Sequence, residues 1–176
     1  MRSLHSNSFP ALLAAAIVVA PFSANAQAKH ATVELHGADG QILVVSDSDF
    51  AKLGRQDVQA DAHHVKGTFN GVCVYDLLRL VGAPPSDSLR GAALAAYVLI
   101  EAADGYRVVY SIAELSPGFA QHEVMIVDRM NGAPLPAKDG PFRLIAPDDK
   151  APSRWVRQVT KITIVMLPRE ATPPTR

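Results

Sequence analysis

Basic side chains crowd the last third of this 176-residue chain: Arg143, Lys150, Arg154, Arg157 and Lys161. They stand among turn residues, in the runs Asn131-Gly132-Ala133-Pro134-Leu135-Pro136, Gly140-Pro141-Phe142-Arg143 and Lys150-Ala151-Pro152-Ser153-Arg154-Trp155. A guanidinium is a planar fork of N–H donors that matches phosphate oxygens, and a hydroxyl or a turn N–H completes such a cradle. A cluster that includes Arg143, Lys150 and Arg154 among such turns suits a small anionic ligand. The competing reading puts the arginines on solvent-facing strands and turns, with Trp155 anchoring a strand in the core rather than covering a ligand.

Other reactive residues are sparse. Cys73 is the single cysteine, so an intramolecular disulfide and cysteine-based zinc or iron–sulfur frameworks are excluded. It precedes an apolar helical stretch, and a helix N-terminus lowers a thiol's pKa. The alternative is a small buried residue that packs the start of the helix. His63, His64 and His122 are the metal-ligand candidates, but neighbouring residues of a strand point to opposite faces, so His63 and His64 cannot both reach one ion without a bulge. Asp148-Asp149 and Asp128-Arg129 read as solvated turns with local charge pairing. Serine-nucleophile elbows, P-loops and dinucleotide fingerprints are absent from the sequence.

The elements that must position these residues follow from the pattern. Residues 1–26 read as a signal peptide, with Arg2 and His5 before an apolar run and Ala24-Asn25-Ala26 as the cleavage signal. That places the mature protein in the periplasm or outside the cell, with no membrane span after cleavage. Residues 27–167 form one domain and the Pro/Thr/Arg-rich residues 168–176 a disordered tail. Lys plus Arg and Asp plus Glu both number 17, so no global field recruits nucleic acid. Residues 32–36 and 41–45 flank Gly37-Ala38-Asp39-Gly40 as a hairpin, and Ser46 or Asp47 caps a short helix that stops at Gly54. Residues 57–64 read as a strand, 68–71 as a short strand or turn, and 74–81 as a helix. Residues 95–102 and 106–110 form a hairpin at Asp104-Gly105, 111–115 a helical turn, and 123–128, 142–146 and 159–167 strands. The result is a mixed, strand-dominated α+β domain.

Four blocks, in order, resemble the sulfite-oxidase-like molybdopterin-binding domain family. They are Phe69-x-Gly71-Val72 with Tyr75-Asp76-Leu77-Leu78; Ala103-Asp104-Gly105-Tyr106 with Ser111-Ile112-Ala113-Glu114-Leu115; Asn131-Gly132-Ala133-Pro134-Leu135; and Gly140-Pro141-Phe142-Arg143 through Ser153-Arg154-Trp155-Val156. The resemblance covers residues 57–166. It implies a sulfite-oxidase-like fold, an oxidoreductase activity and a pterin whose phosphate is held near Ser153 and Arg154. It also implies a molybdenum ligated by a cysteine before the aromatic-x-Gly-Val block. Residues 57–64 occupy that place and hold no cysteine, while Cys73 falls after the block. Molybdopterin is thus the implied cofactor, and the residues do not support molybdenum ligation. Three functions compete: a binder of an anion or pterin without redox catalysis, a molybdenum oxidoreductase with an unusual ligand set, and a periplasmic scaffold or sensory accessory that docks a protein partner.

Overall fold

The structure is a computed structural model and describes residues 31–62 and 65–167. The expected signal peptide, His63, His64 and the expected tail lie outside the described residues.

Strands β1 (Thr32–His36) and β2 (Ile42–Ser46) form the expected first hairpin, with buried Val33 and Leu35 alternating with exposed positions. Ser46 ends β2 and caps α1 (Asp47–Phe50), where its hydroxyl accepts from the Asp49 N–H and the Asp49 carboxylate accepts from the Ser46 N–H. β3 (Arg55–Ala62) pairs antiparallel with β4 (Val65–Cys73). Residues 68–71, read above as a short strand or turn, are therefore the middle of a nine-residue strand. Period-2 patterning fails there because β4 is buried on both faces towards its C-terminal end, from Gly71 to Cys73. α2 (Val74–Arg79) follows directly and buries Val74, Tyr75, Leu77 and Leu78. β5 (Tyr97–Ala102) and β6 (Arg107–Ser111) form the second hairpin, and α3 (Ile112–Leu115) starts from a Ser111–Glu114 capping box. β7 (Met125–Met130), β8 (Ala133–Pro134), β9 (Arg143–Ile145) and β10 (Val159–Val165) complete the chain.

These strands make two five-stranded sheets, so the α+β expectation holds. The first runs β2-β1-β10-β5-β6, with β1 and β10 parallel. The second runs β3-β4-β7, with β8 and β9 both on the far side of β7. One contiguous core draws on both sheets and α2. Trp155 sits in it at 3% exposure, donates its indole N–H to the Ala146 carbonyl at 2.9 Å and meets Phe69 edge-on at 6.3 Å. It anchors the core rather than covering a ligand.

The sequence blocks now have mechanical reasons. A side chain at Gly71 would run into the Ile126 carbonyl and lie 2.6 Å from the Val127 Cα, so only glycine lets β4 approach β7 where their register shifts. Asn131 and Gly132 both have positive φ, the pair a tight hairpin turn demands. The Asn131 side-chain oxygen also accepts from the Thr68 N–H at 3.0 Å, tying that turn to β4. Such backbone devices fix the scaffold on which the polar loops hang.

Candidate functional site

The sequence-predicted residues Arg143, Lys150, Ser153 and Arg154 are not brought together by any hollow described below: Arg154 lines one and Ser153 another. Arg143 is 6% exposed and pairs with Asp139 at 3.1 Å, while its Nε is buried with no hydrogen-bond partner. Burial, and then the charge of Arg157, lower its pKa against the opposing pull of Asp139. It is an internal strut between β9 and the turn at Asp139. Lys150 is exposed and has no polar partner among the described residues. Ser153 is exposed, and its backbone carbonyl accepts from the Tyr106 hydroxyl at 2.7 Å. Together with Asp104 and Arg157 it lines a hollow of about 260 Å³ at the tip of the β5–β6 hairpin.

Arg154 has a different setting. It ends the one-turn 3₁₀ segment Pro152–Arg154. Its fork donates to both Asp149 oxygens, at 3.0 and 2.5 Å, and its third nitrogen donates to Glu114 at 3.0 Å. The guanidinium carbon lies 4.2 Å from the centre of the Tyr110 ring. The hydrogen bonds to Asp149, partly offset by burial, raise its pKa further. Burial pushes Glu114 up, but its hydrogen bonds from Ser111 and Arg154 outweigh that and hold it below the usual carboxylate range. Burial raises the Tyr110 phenol, so it stays protonated at any physiological pH. The fork that matches a phosphate is thus already matched to the protein's own carboxylates.

Arg154, Glu114, Asp148, Asp149, His122 and Tyr110 wall a hollow of about 200 Å³. The His122 Nδ1 lies 2.6 Å from an Asp148 oxygen, which joins the 117–124 loop to the 146–154 loop. Asp149 pairs locally, with Arg154 five residues on in the same loop, as expected; Asp148 instead reaches His122, because the two loops fold onto each other. A second hollow of about 320 Å³ lies beside it, between the start of β3 (Gln56, Asp57, Val58) and the same 117–124 loop. Ala120 and His122 line both, so the two meet there. Among the described residues no group of three or more His, Cys, Asp and Glu could hold a metal ion.

A larger hollow, about 650 Å³, lies elsewhere. Its apolar floor includes Leu135 and Phe142, and its rim carries Asp47, Arg55, Asp128 and Arg129. Asp128 is no solvated turn residue: it lies within β7 and accepts from Arg55, across from β3. Arg55 also donates to the Asn70 side chain at 2.8 Å. A partner 73 positions away leaves no local signal in the sequence.

Cys73 is 1% exposed. Burial first, and then the negative charge of Glu123, push its thiol up to about 12, against weaker hydrogen bonds from the first turn of α2. Desolvation therefore overrides the helix terminus, and Cys73 packs the start of α2 as a neutral thiol.

The sequence profile of the oxidoreductase molybdopterin binding domain matches residues 51–172. The chain belongs to this family. Among solved structures it is similar to the sulfane dehydrogenase SoxCD from Paracoccus pantotrophus, with 19% identity and a TM-score of 0.60. That match covers 76% of this chain and 38% of the other, so this chain spans well under half of that protein's length. The similarity shows a shared sulfite-oxidase-like fold. No curated protein sequence matches the chain. The family implies molybdopterin, and the residues can be weighed against it. A thiolate ligand is not on offer among the described residues, since Cys73 is buried, protonated and lines none of the hollows above. A phosphate cradle fits poorly too, because Arg154 is committed and three carboxylates flank it.

Proposed function

We propose that this chain is an exported, non-redox member of the molybdopterin-binding domain family that binds a small N–H-bearing heterocycle, of which a pterin head is the family's example. The observation that carries the reading is the meeting of two hollows at His122, between β3 and the Arg154 loop. Their walls carry carboxylates, Glu114, Asp148 and Asp149 on one side and Asp57 and Glu123 on the other, and each keeps lone pairs beyond the bonds it accepts within the protein. Carboxylates accept from the amino and ring N–H groups of a pterin's pyrimidine edge and repel its phosphate. The anion reading of the basic segment finds less support, with Lys150, Ser153 and Arg157 as the groups still open to an anion. Export rests on the pattern of residues 1–26.

The test is metal and pterin analysis of protein exported by cells that make the cofactor, with melting curves alongside. Molybdenum is expected far below one atom per chain. A phosphate-free pterin should raise the melting temperature, since a ligand at about 100 times its Kd stabilises the folded state by about 2.7 kcal/mol. Near-stoichiometric molybdenum would overturn the non-redox reading. No shift with any pterin would overturn the ligand reading and leave the alternative, a scaffold that docks a periplasmic protein.

A further inference from the structure

The two sheets treat their outer strands differently. β3, the edge of the second sheet, reads Arg55-Gln56-Asp57-Val58-Gln59-Ala60-Asp61-Ala62, and its charges deter pairing with another chain. β2, the edge of the first sheet, reads Ile42-Leu43-Val44-Val45-Ser46 and has no charge, proline or bulge. Ile42 is 61% exposed, Leu43 36% and Val44 54%. Exposed apolar runs of this kind on an edge mark an interaction site.

Among the described residues the main chain of β2 has no strand partner on that side. The Gly37 N–H donates to the Gln41 carbonyl at 2.8 Å, and the Asp47 N–H donates to the Ala31 carbonyl at 3.0 Å. In an antiparallel pair the bonding residues alternate, so Gln41, Leu43, Val45 and Asp47 face β1. Ile42, Val44 and Ser46 then aim their N–H and C=O groups outward. The Ser46 N–H is taken by Asp49 at 3.2 Å, and no described strand meets those of Ile42 and Val44.

We infer that β2 pairs antiparallel with β2 of a second copy, about a two-fold axis through Leu43. The strand is self-complementary in that register. Ile42 and Val44 exchange hydrogen bonds with Val44 and Ile42 of the second copy, the two residues whose groups point outward. Their side chains stack on the face that carries Glu34 and His36, and Leu43 meets its own copy on the inner face. Every residue from Gln41 to Val45 is uncharged. The first sheets of the two copies become one continuous sheet. Beyond the paired segment Asp39 faces Asp47 of the second copy, so salt should strengthen the dimer by screening like charges. One short strand pair buries less than the ~1,200 Å² of ordinary stable interfaces, which makes the association weak and concentration-dependent.

Sedimentation of the exported protein tests this. The mass should rise from one chain to two between about 1 and 200 µM, and at lower concentration in high salt. Val44→Lys and Ile42→Lys should each keep the chain monomeric with the melting temperature unchanged, because both side chains are more than half exposed. Leu43→Cys should form a cross-linked dimer under mild oxidation, since non-hydrogen-bonded antiparallel pairs bring Cα atoms to about 4.5 Å. Val109→Cys, exposed on the opposite edge strand, should not. Buried Cys73 stays out of the reaction. A monomer at every concentration and salt overturns the proposal and hands the edge to a strand of another protein. So does an unchanged dimer in both lysine variants, or Leu43→Cys cross-linking no faster than Val109→Cys.

Discussion

Replacing Arg154 separates the two roles a surface arginine can have in this fold. If its fork were kept free for a ligand's phosphate, Arg154→Ala would leave the ligand-free protein as stable as before. The structure requires a loss. Asp149, only 14% exposed at its side chain, would lose both of its donors. Hydrogen bonds to charged groups are worth about 1.5–3 kcal/mol, and the 38% exposure of the Arg154 side chain argues for the lower end. The half-exposed Glu114 pair adds about 0.3 kcal/mol and the Tyr110 stack about 0.5 kcal/mol. The expected loss is about 2 kcal/mol, or about 4–8 °C in melting temperature for a domain of this size. Urea denaturation at pH 7 measures it. Arg154→Lys keeps a charge without the fork and should lose about half as much. A double-mutant cycle with Asp149→Asn should return a coupling of about 1 kcal/mol. A ligand-free Arg154→Ala protein within about 0.5 kcal/mol of wild type would refute the reasoning and return Arg154 to the list of free phosphate donors.

Gly71→Ala should cost about 3 kcal/mol, because the new methyl meets the backbone of β7 and only separating the strands relieves it. Gly54→Ala, with open space around it, should be neutral, and equal stability of the two variants in denaturant would contradict this account. Cys73, pushed up to about 12, should resist thiol reagents at pH 8 until the protein is unfolded; fast labelling of the native protein would show the thiol is not buried as described. Acid should destabilise the fold in a defined way. Asp49 is held at about 2, chiefly by the Ser46 hydroxyl and N–H, and Glu114 also lies below its ordinary value. A depressed carboxylate contributes stability above its unfolded pKa and loses it as pH falls through the folded one. Stability should therefore drop between about pH 4.5 and 2, with a shallower slope in Glu114→Gln and Ser46→Ala; an unchanged slope in both would be inconsistent with these hydrogen bonds.

Much of the scaffold was legible because its signals are local. Asn131-Gly132 and Asp104-Gly105 force turns through backbone geometry, Ser46 and Ser111 cap the helices they precede, and alternation in residues 32–36 places Val33 and Leu35 inside. These devices act within a few residues, so the sequence by itself determined the hairpins, the helix starts and the family blocks. The extent of β4 escaped because a strand buried on both faces loses its alternation.

The chemistry was decided elsewhere. Whether Arg154 is free depends on Asp149 and Glu114, the latter 40 positions away. Whether Cys73 is reactive depends on the core and Glu123 closing around it, which reverses what a helix terminus alone would do. Arg143 seemed an exposed donor and became a buried strut, because β9 runs beside β7 in the interior. His122 gained its place between two hollows only when the 117–124 loop met Asp148. The sequence supplies the charges, but their availability is set by which charges and how much solvent the tertiary fold leaves beside them, because the desolvation and pairing that decide it act through space and not along the chain.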